Sequence, residues 1–297
     1  MNFTKMHGCG NDYIYIDCTS GNLKGADGKP LNTSGLAVKL SDRHFGIGGD
    51  GIILIKRGKS ADFEMEMYNA DGSRSQMCGN GIRCVAKYVY DAGYTKGREF
   101  SIESMGAVKH IQITSGNPGD KICCARVDMG KPILQAEKIP VNVQALQLRS
   151  ETGHVIQQPL SIGGKDYKIT CVSMGNPHAV VFIDKKPADF PVCEIGTLFE
   201  NHAFFPERTN TEFAYVQDRR TIFMRVWERG TGETLACGTG TCATVVAAIL
   251  NGLVDAGEKI TVHLLGGDLE IEWSGNENDS VFMTGPAEKV FTGEVEI

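Results

Sequence analysis

Two short runs, Cys78-Gly79-Asn80-Gly81 and Cys237-Gly238-Thr239-Gly240, stand 159 residues apart, and each sets a cysteine in a glycine turn ahead of an apolar helical run. Nine residues before each cysteine a polar residue follows an aromatic: Tyr68-Asn69 and Trp227-Glu228. Other landmarks keep the same order. Gly10-Asn11 precedes the strand-like Tyr13 to Asp17, and Gly175-Asn176 precedes, after Pro177, the run His178 to Asp184. A helical segment ending near a histidine follows (Ser34 to His44; Cys193 to His202), then a further strand (Ile52 to Lys56; Thr211 to Val216). Period-2 alternation from Phe63 to Tyr68 and from Thr221 to Trp227 marks half-buried strands leading to each cysteine. Helices over roughly 80–92 and 239–251 stop at Gly93 and at Asn251-Gly252.

A repeat in two copies of about 150 residues marks a duplicated fold, not a solenoid. The boundary falls near Met129-Gly130-Lys131-Pro132. Residues 1–130 form one half, with 286–297 as a strand returning to it, and residues 131–285 form the other. The cleft between two such halves is the natural place for a site.

A chain of 297 residues accommodates two domains of this size, and 41% hydrophobic with 22% charged residues is ordinary globular composition. A net charge of −6 argues against nucleic acid as the main partner, which demands a basic stripe. The start, Met1 to His7, lacks a charged region followed by an apolar stretch. The longest apolar run, Ala243 to Leu250, is far short of the ~20 residues a membrane span requires. A cytoplasmic protein without membrane association is expected, its ten cysteines reduced. Adjacent Cys123-Cys124, in a strand-like run, reads as two small hydrophobic residues.

Glycines at 79, 81, 238 and 240 let backbone N–H groups point at a ligand where a helix begins, an anion-binding arrangement. A cysteine there has its thiolate favoured, so its pKa is expected to fall from about 8.5 toward neutrality. A substrate carboxylate held by such a loop puts its α-carbon beside the sulfur, and the same donors stabilise the enolate-like charge of proton removal. Two thiols facing one carbon suit a racemase or epimerase. Three other readings compete. Cysteines beside glycines are often structural. Cys78/Cys84 and Cys237/Cys242 resemble zinc pairs, but no third or fourth ligand is well placed. Gly238 to Ala243 matches the dinucleotide pattern G-x-G-x-x-A, yet Glu228 through Cys237 separate it from the preceding strand. Gly46 to Gly51 matches too, ahead of a strand instead of a helix. Neither a metal nor a cofactor is expected.

Several blocks resemble the diaminopimelate epimerase family. They are Met6-His7-Gly8 with Gly10-Asn11-Asp12, Asn69-Ala70-Asp71-Gly72-Ser73, and Met77 to Gly81 with Arg83-Cys84. Further along come Met174 to His178, Pro206-Glu207-Arg208 with Asn210, Glu228-Arg229-Gly230, Gly232-Glu233-Thr234, Ala236-Cys237-Gly238 and Thr284 to Ala287. The match runs nearly end to end and is poorest over about 135–168. It implies an α/β (α+β) fold of two pseudo-symmetric duplicated domains, each a mostly antiparallel barrel-like sheet round a central helix, with the active site in the interdomain cleft. It also implies cofactor-independent inversion between LL- and meso-diaminopimelate, serving lysine and peptidoglycan precursor synthesis, by a homodimer.

The resemblance makes Cys78 and Cys237 the acid/base thiols, with His178 and Glu228 tuning their protonation or binding the reacting amino group. Asn69, Asn176, Asn210 and Arg229 would hold the distal amino-acid end, and Asn11 belongs to the same pocket. Gly79, Asn80, Gly238 and Thr239 would give backbone donors to the reacting carboxylate. One departure stands out: Gly51 replaces the glutamine many family members carry after this aspartate. A proline or hydroxyproline racemase-like enzyme is the alternative within the same duplicated fold, and Glu228-Arg229-Gly230 favours the substrate with a charged distal end. A non-catalytic ligand-binding protein is the other class, which the two cysteines argue against.

Overall fold

Phe63, Met65 and Met67 are buried while Glu64 and Glu66 between them are half-exposed, as side chains alternating across a pleat require. In the computed structural model, which describes every residue except 22, 26, 27, 76, 143–152 and 297, such strands build two compact units. One is Met1–Val127 with Thr284–Ile297 and the other Asp128–Met283.

In chain order the first unit supplies β1 (Asn2–Gly8), β2 (Asn11–Asp17), α1 (Thr33–Ser41), β3 (Gly51–Arg57), β4 (Phe63–Asn69), β5 (Arg74–Ser75), α2 (Gly79–Asp91), β6 (Glu99–Ser104), β7 (Ala107–Ser115) and β8 (Ile122–Gly130). The second supplies β9 (Gln158–Ile162), β10 (Lys165–Ser173), β11 (Pro177–Phe182), α3 (Val192–Glu200), β12 (Asn210–Asp218), β13 (Thr221–Glu228), β14 (Gly232–Thr234), α4 (Gly238–Leu250), β15 (Lys259–Leu264) and β16 (Gly267–Glu272). β17 (Val281–Glu294) starts in the second unit and continues in the first.

Within the first unit β1 and β2 are antiparallel, β2 and β3 parallel, β3 and β4 antiparallel, and β4 and β6 parallel. β6, β7 and β8 follow as an antiparallel meander. β8 pairs with β17, and β17 runs antiparallel to β1. Eight strands thus return to their starting point, and closure leaves no long edge to recruit another chain. The second unit repeats the pattern: β10 and β11 antiparallel, β11 and β12 parallel, β12 and β13 antiparallel, β13 and β15 parallel, β15 and β16 antiparallel. β9 adds one antiparallel strand beside β10. The correspondence pairs β2 with β11, β3 with β12, β4 with β13 and α2 with α4.

Ten of the thirteen residues of α2, and ten of the thirteen of α4, are buried, so each helix is enclosed on all sides, not packed along one stripe. α4 meets this with small apolar residues. α2 departs from the expected apolar run: Arg83 and Lys87, one turn apart, are fully buried. Arg83 donates to Pro286 O at 3.2 Å, Gly79 O at 3.1 Å and Asn80 Oδ1 at 3.0 Å. Lys87 donates to Asp91 at 2.8 Å and to the Asp120 carbonyl. Buried charges persist only when so satisfied.

α1 and α3 stop at Ser41 and Glu200, short of the histidines expected to end them. Asp42 accepts the amides of His44 and Phe45 in a turn that cannot continue the helix. The described part of the weakly resembling stretch 135–168 contributes to a core. Ile139, Val155, Leu160 and Tyr167 from it join Phe199 and Phe213 in one core cluster, and its residues 143–152 lie outside those described. No helix among the described residues is long and apolar enough to cross a membrane.

Candidate active site

The two cysteines begin their helices in the same way. Cys78 has φ −123° and ψ 116°, Cys237 φ −116° and ψ 111°. Each sulfur accepts the amide three residues on, from Gly81 at 3.3 Å and Gly240 at 3.4 Å. Extended backbone with an accepting side chain is what a helix start needs, and sulfur takes the part usually played by oxygen. The helices therefore open at Gly79 and Gly238, one residue earlier than the glycine pattern suggested. Gly79 and Asn80, Gly238 and Thr239 fill the first two helical positions, whose amides have no intrahelical acceptor.

In the first unit the half-buried Cys78 donates its thiol proton to Asn11 Oδ1 at 3.0 Å. Asn11 in turn donates from Nδ2 to Asp50 Oδ2 at 2.7 Å. An ionised carboxylate only accepts, so Asp50 turns the amide nitrogen of Asn11 toward itself and the carbonyl toward the sulfur. Asp50 is held by the Asp12 amide at 3.1 Å and by Arg43 at 3.0 Å. Burial and then the neighbouring Cys78 sulfur hold the Tyr13 phenol far above its ordinary value, leaving it a neutral donor.

Asn69 ends β4 and serves its turn, donating to Ser73 Oγ at 3.0 Å while its amide reaches Ser73 O at 2.9 Å. Asn80 is 2% exposed, with its side chain on Arg83. Gly51 sits between Tyr13 and Asn69 in register. A Cβ there would stand 2.1 Å from Tyr68 O and 3.0 Å from the Tyr13 ring. The departure at this position is therefore one of backbone packing, not only of a missing amide.

In the second unit His178 is fully buried, its Nδ1 2.7 Å from Glu212 Oε1 and its Nε2 3.0 Å from Asn176 Oδ1. Glu228 accepts from Thr234 Oγ1 at 2.5 Å and lies near enough to Cys237 for each to shift the other's proton affinity. Burial raises its carboxyl above the ordinary range, against the opposing pull of those two neighbours. The Thr239 hydroxyl lies 3.5 Å from Cys237 Sγ.

The expectation of an acidified thiol fails at Cys237. Burial, followed by the charges of Glu228 and Glu212, pushes this thiol well above its ordinary value. The Thr239 hydroxyl and the Gly240 amide work the other way and are outweighed. Removing a thiolate from water and setting it beside two carboxylates costs more than one helix end returns.

Asn210 spends both ends of its amide inside the unit, donating to Pro177 O at 2.8 Å and accepting from Arg229 N at 2.9 Å. Arg229 NH1 donates to Glu207 O at 2.8 Å. Three residues that the sequence reading did not select organise these groups. Asp50 orients Asn11. Glu212 binds His178. Glu200 accepts from Arg208 at 2.9 Å, Gly230 N at 3.0 Å and Trp227 Nε1 at 2.7 Å, and so pins the turn that carries Arg229. Glu212 left one signal, an acid inside a run whose neighbours Phe213 and Ala214 are apolar. Its partner depends on the β11–β12 register. Among the described residues no cluster of His, Cys, Asp and Glu is placed to hold a metal ion.

A sequence profile described as diaminopimelate epimerase matches residues 3–135 and 170–290, and its gap coincides with the stretch of poorest resemblance. Across 297 residues the chain is 52% identical to the diaminopimelate epimerase of Acetivibrio thermocellus, covering 100% of this chain and 99% of the other. It is 51% identical to that of Agathobacter rectalis and 50% identical to that of Methanococcus maripaludis C6, each covering 100% of both chains. The fold is shared with a PhzF-family phenazine biosynthesis protein of Bacillus anthracis, at TM-score 0.69 and 16% identity over 100% of this chain and 99% of that one. It is shared also with a hydroxyproline epimerase of Agrobacterium vitis, at TM-score 0.65 and 13% identity over 99% and 90%.

Proposed function

The chain belongs to the diaminopimelate epimerase family, and on that footing we propose that it inverts one α-carbon of LL-diaminopimelate to give the meso form, using Cys78 and Cys237 as its two bases. The observation that carries this reading is the pair of cysteine-capped helix starts, alike in dihedral angles and in sulfur contacts. One sulfur, as thiolate, takes the α-proton while the other, as thiol, returns a proton to the opposite face. The charge left on the substrate carboxylate is stabilised by the first-turn amides at Gly79, Asn80, Gly238 and Thr239 and by the helix ends. Cys237, which its surroundings keep protonated, is the donor in the direction that starts from this state.

Glu228 raises the proton affinity of the Cys237 thiol by its charge, and this coupling supports a role in managing its proton. His178 serves the same end of the substrate. Arg229 pairs with the distal carboxylate, and Asn11, Asn69 and Asn176 complete the anchor at the fixed end. Asn210, whose amide is engaged at both ends, contributes by holding Arg229. The family resemblance carries two finer readings, a place in lysine and peptidoglycan precursor synthesis and a homodimer, and the ten cysteines, read as reduced thiols, support the cytoplasm as compartment.

A substrate panel separates this reading from its nearest rival. Purified protein incubated with LL-diaminopimelate, L-proline and trans-4-hydroxy-L-proline is expected to invert only the first, as read by chiral chromatography. Inversion of either proline without turnover of diaminopimelate would reject the proposal.

A further inference from the structure

The reaction as described leaves one buried acid without a task. Glu212 lies within β12, and neither its side chain nor that of His178 is exposed to solvent. Its Oε1 is 2.7 Å from His178 Nδ1, while Oε2 has no hydrogen-bond partner among the described residues. A carboxylate in this position is costly unless something compensates it, so its presence calls for a reason beyond packing.

The internal duplication supplies the comparison. His178 pairs with Asn210 across the parallel β11 and β12, and Tyr13 pairs with Gly51 across the parallel β2 and β3. Two residues further along, Ile53 holds in the first unit the place of Glu212 in the second. Both side chains abut the same glycine of the enclosed helix: a Cβ on Gly81 would meet Ile53 Cδ1 at 2.8 Å, and one on Gly240 would meet Glu212 Oε1 at 2.5 Å. One architecture thus accepts Ile and Tyr in one copy and Glu and His in the other. Packing does not require the charge, and it appears in the copy whose cysteine also carries Glu228.

Resting on the reading of this chain as an epimerase, we propose that Glu212 is a positioning residue: it holds a hydrogen of His178 on Nδ1 and so fixes the ring with Nε2 turned to donate to Asn176 Oδ1 at 3.0 Å, on the side that serves the reaction. A carboxylate can only accept, so it keeps a hydrogen on Nδ1 and holds the ring in one orientation. Glutamine at this position keeps the shape but offers either an acceptor or a donor, and the ring is no longer held to one state. Loss of the oriented ring impairs the chemical step more than binding.

The test is Glu212→Gln in the full-length protein, with two readouts. In steady-state kinetics with LL-diaminopimelate, kcat is expected to fall at least on the order of tenfold to a hundredfold, the range seen when a carboxylate orienting a metal-bound imidazole is removed, with KM changed much less. In NMR of 15N-histidine-labelled protein without substrate, His178 is assigned by the loss of its signal in His178→Gln. The wild type is expected to show a strongly deshielded Nδ1 proton that shifts or disappears in Glu212→Gln. Wild-type kcat in the variant, or a wild-type His178 protonated on Nε2 alone, would overturn the proposal. If the variant does not fold, the wild-type spectrum decides by itself. Failure of the wild type to turn over diaminopimelate would strike at the proposed function, while the substrate-free spectrum still decides the role of Glu212.

Discussion

Cys78→Ala and Cys237→Ala are each expected to lower the inversion of LL-diaminopimelate by about 10²–10⁴-fold, the range contributed by one well-placed acid or base. In the proposed mechanism both thiols act in every turnover, one taking a proton and one giving it, so neither can stand in for the other. For the same reason the double variant is expected to be little worse than either single variant. Each substitution also removes a helix cap, since the sulfurs accept the Gly81 and Gly240 amides at 3.3 and 3.4 Å. A lost cap costs about 1 kcal/mol, too little to unfold a domain of ordinary stability. Thermal melts of the variants should therefore stay close to wild type while chiral chromatography shows the activity gone. Wild-type turnover in either variant would remove that cysteine from the mechanism.

Gly240→Ala is expected to damage activity far more than a single methyl group ordinarily would. By helix propensity alone, alanine in place of glycine inside a helix gains about 1 kcal/mol. Here the added Cβ would lie 2.5 Å from Glu212 Oε1 and 3.3 Å from Cys237 Sγ, so the carboxylate, the sulfur or the helix start has to move. A displacement of about 1 Å in a reacting group can cost 10²-fold in rate. The matched change, Gly81→Ala, meets the Ile53 Cδ1 atom at 2.8 Å, the end of a side chain that can rotate, with Cys78 Sγ at 3.7 Å. Activity is therefore expected to fall on the order of a hundredfold in Gly240→Ala and far less in Gly81→Ala, measured on folded protein. Equal effects of the two substitutions would contradict the assignment of Glu212 and Cys237 to one tightly packed cluster.

These two cysteines were also the most legible part of the sequence. Glycine turns, apolar runs and alternating strands are local signals, and they placed α2, α4, β4 and β13 to within a residue. Long-range contacts left weaker marks. Nothing local in Asn210-Thr211-Glu212 reveals that Glu212 faces His178, because that contact arises from the parallel register of β11 on β12. Asn210 reads as a polar residue free to bind a ligand, and only the fold shows its amide engaged with Pro177 and Arg229. The Cys237 thiol illustrates the same limit with a change of sign: the helix start is visible in the sequence, whereas the burial and the two carboxylates that outweigh it are not. Arg83 and Lys87 interrupt the apolar run expected after Cys78, yet both are enclosed because carbonyls from distant segments, Pro286 and Asp120, come to meet them.

The central claim is that two bases, one contributed by each copy of the duplicated unit, act on one carbon. Turnover of LL-diaminopimelate in deuterium oxide, sampled early by mass spectrometry after chiral separation, tests it most directly. Two bases predict that the first meso product carries one solvent deuterium at the inverted α-carbon, while the remaining substrate stays unlabelled. A product that keeps its original α-hydrogen, or label appearing equally in product and recovered substrate, would contradict the two-thiol account.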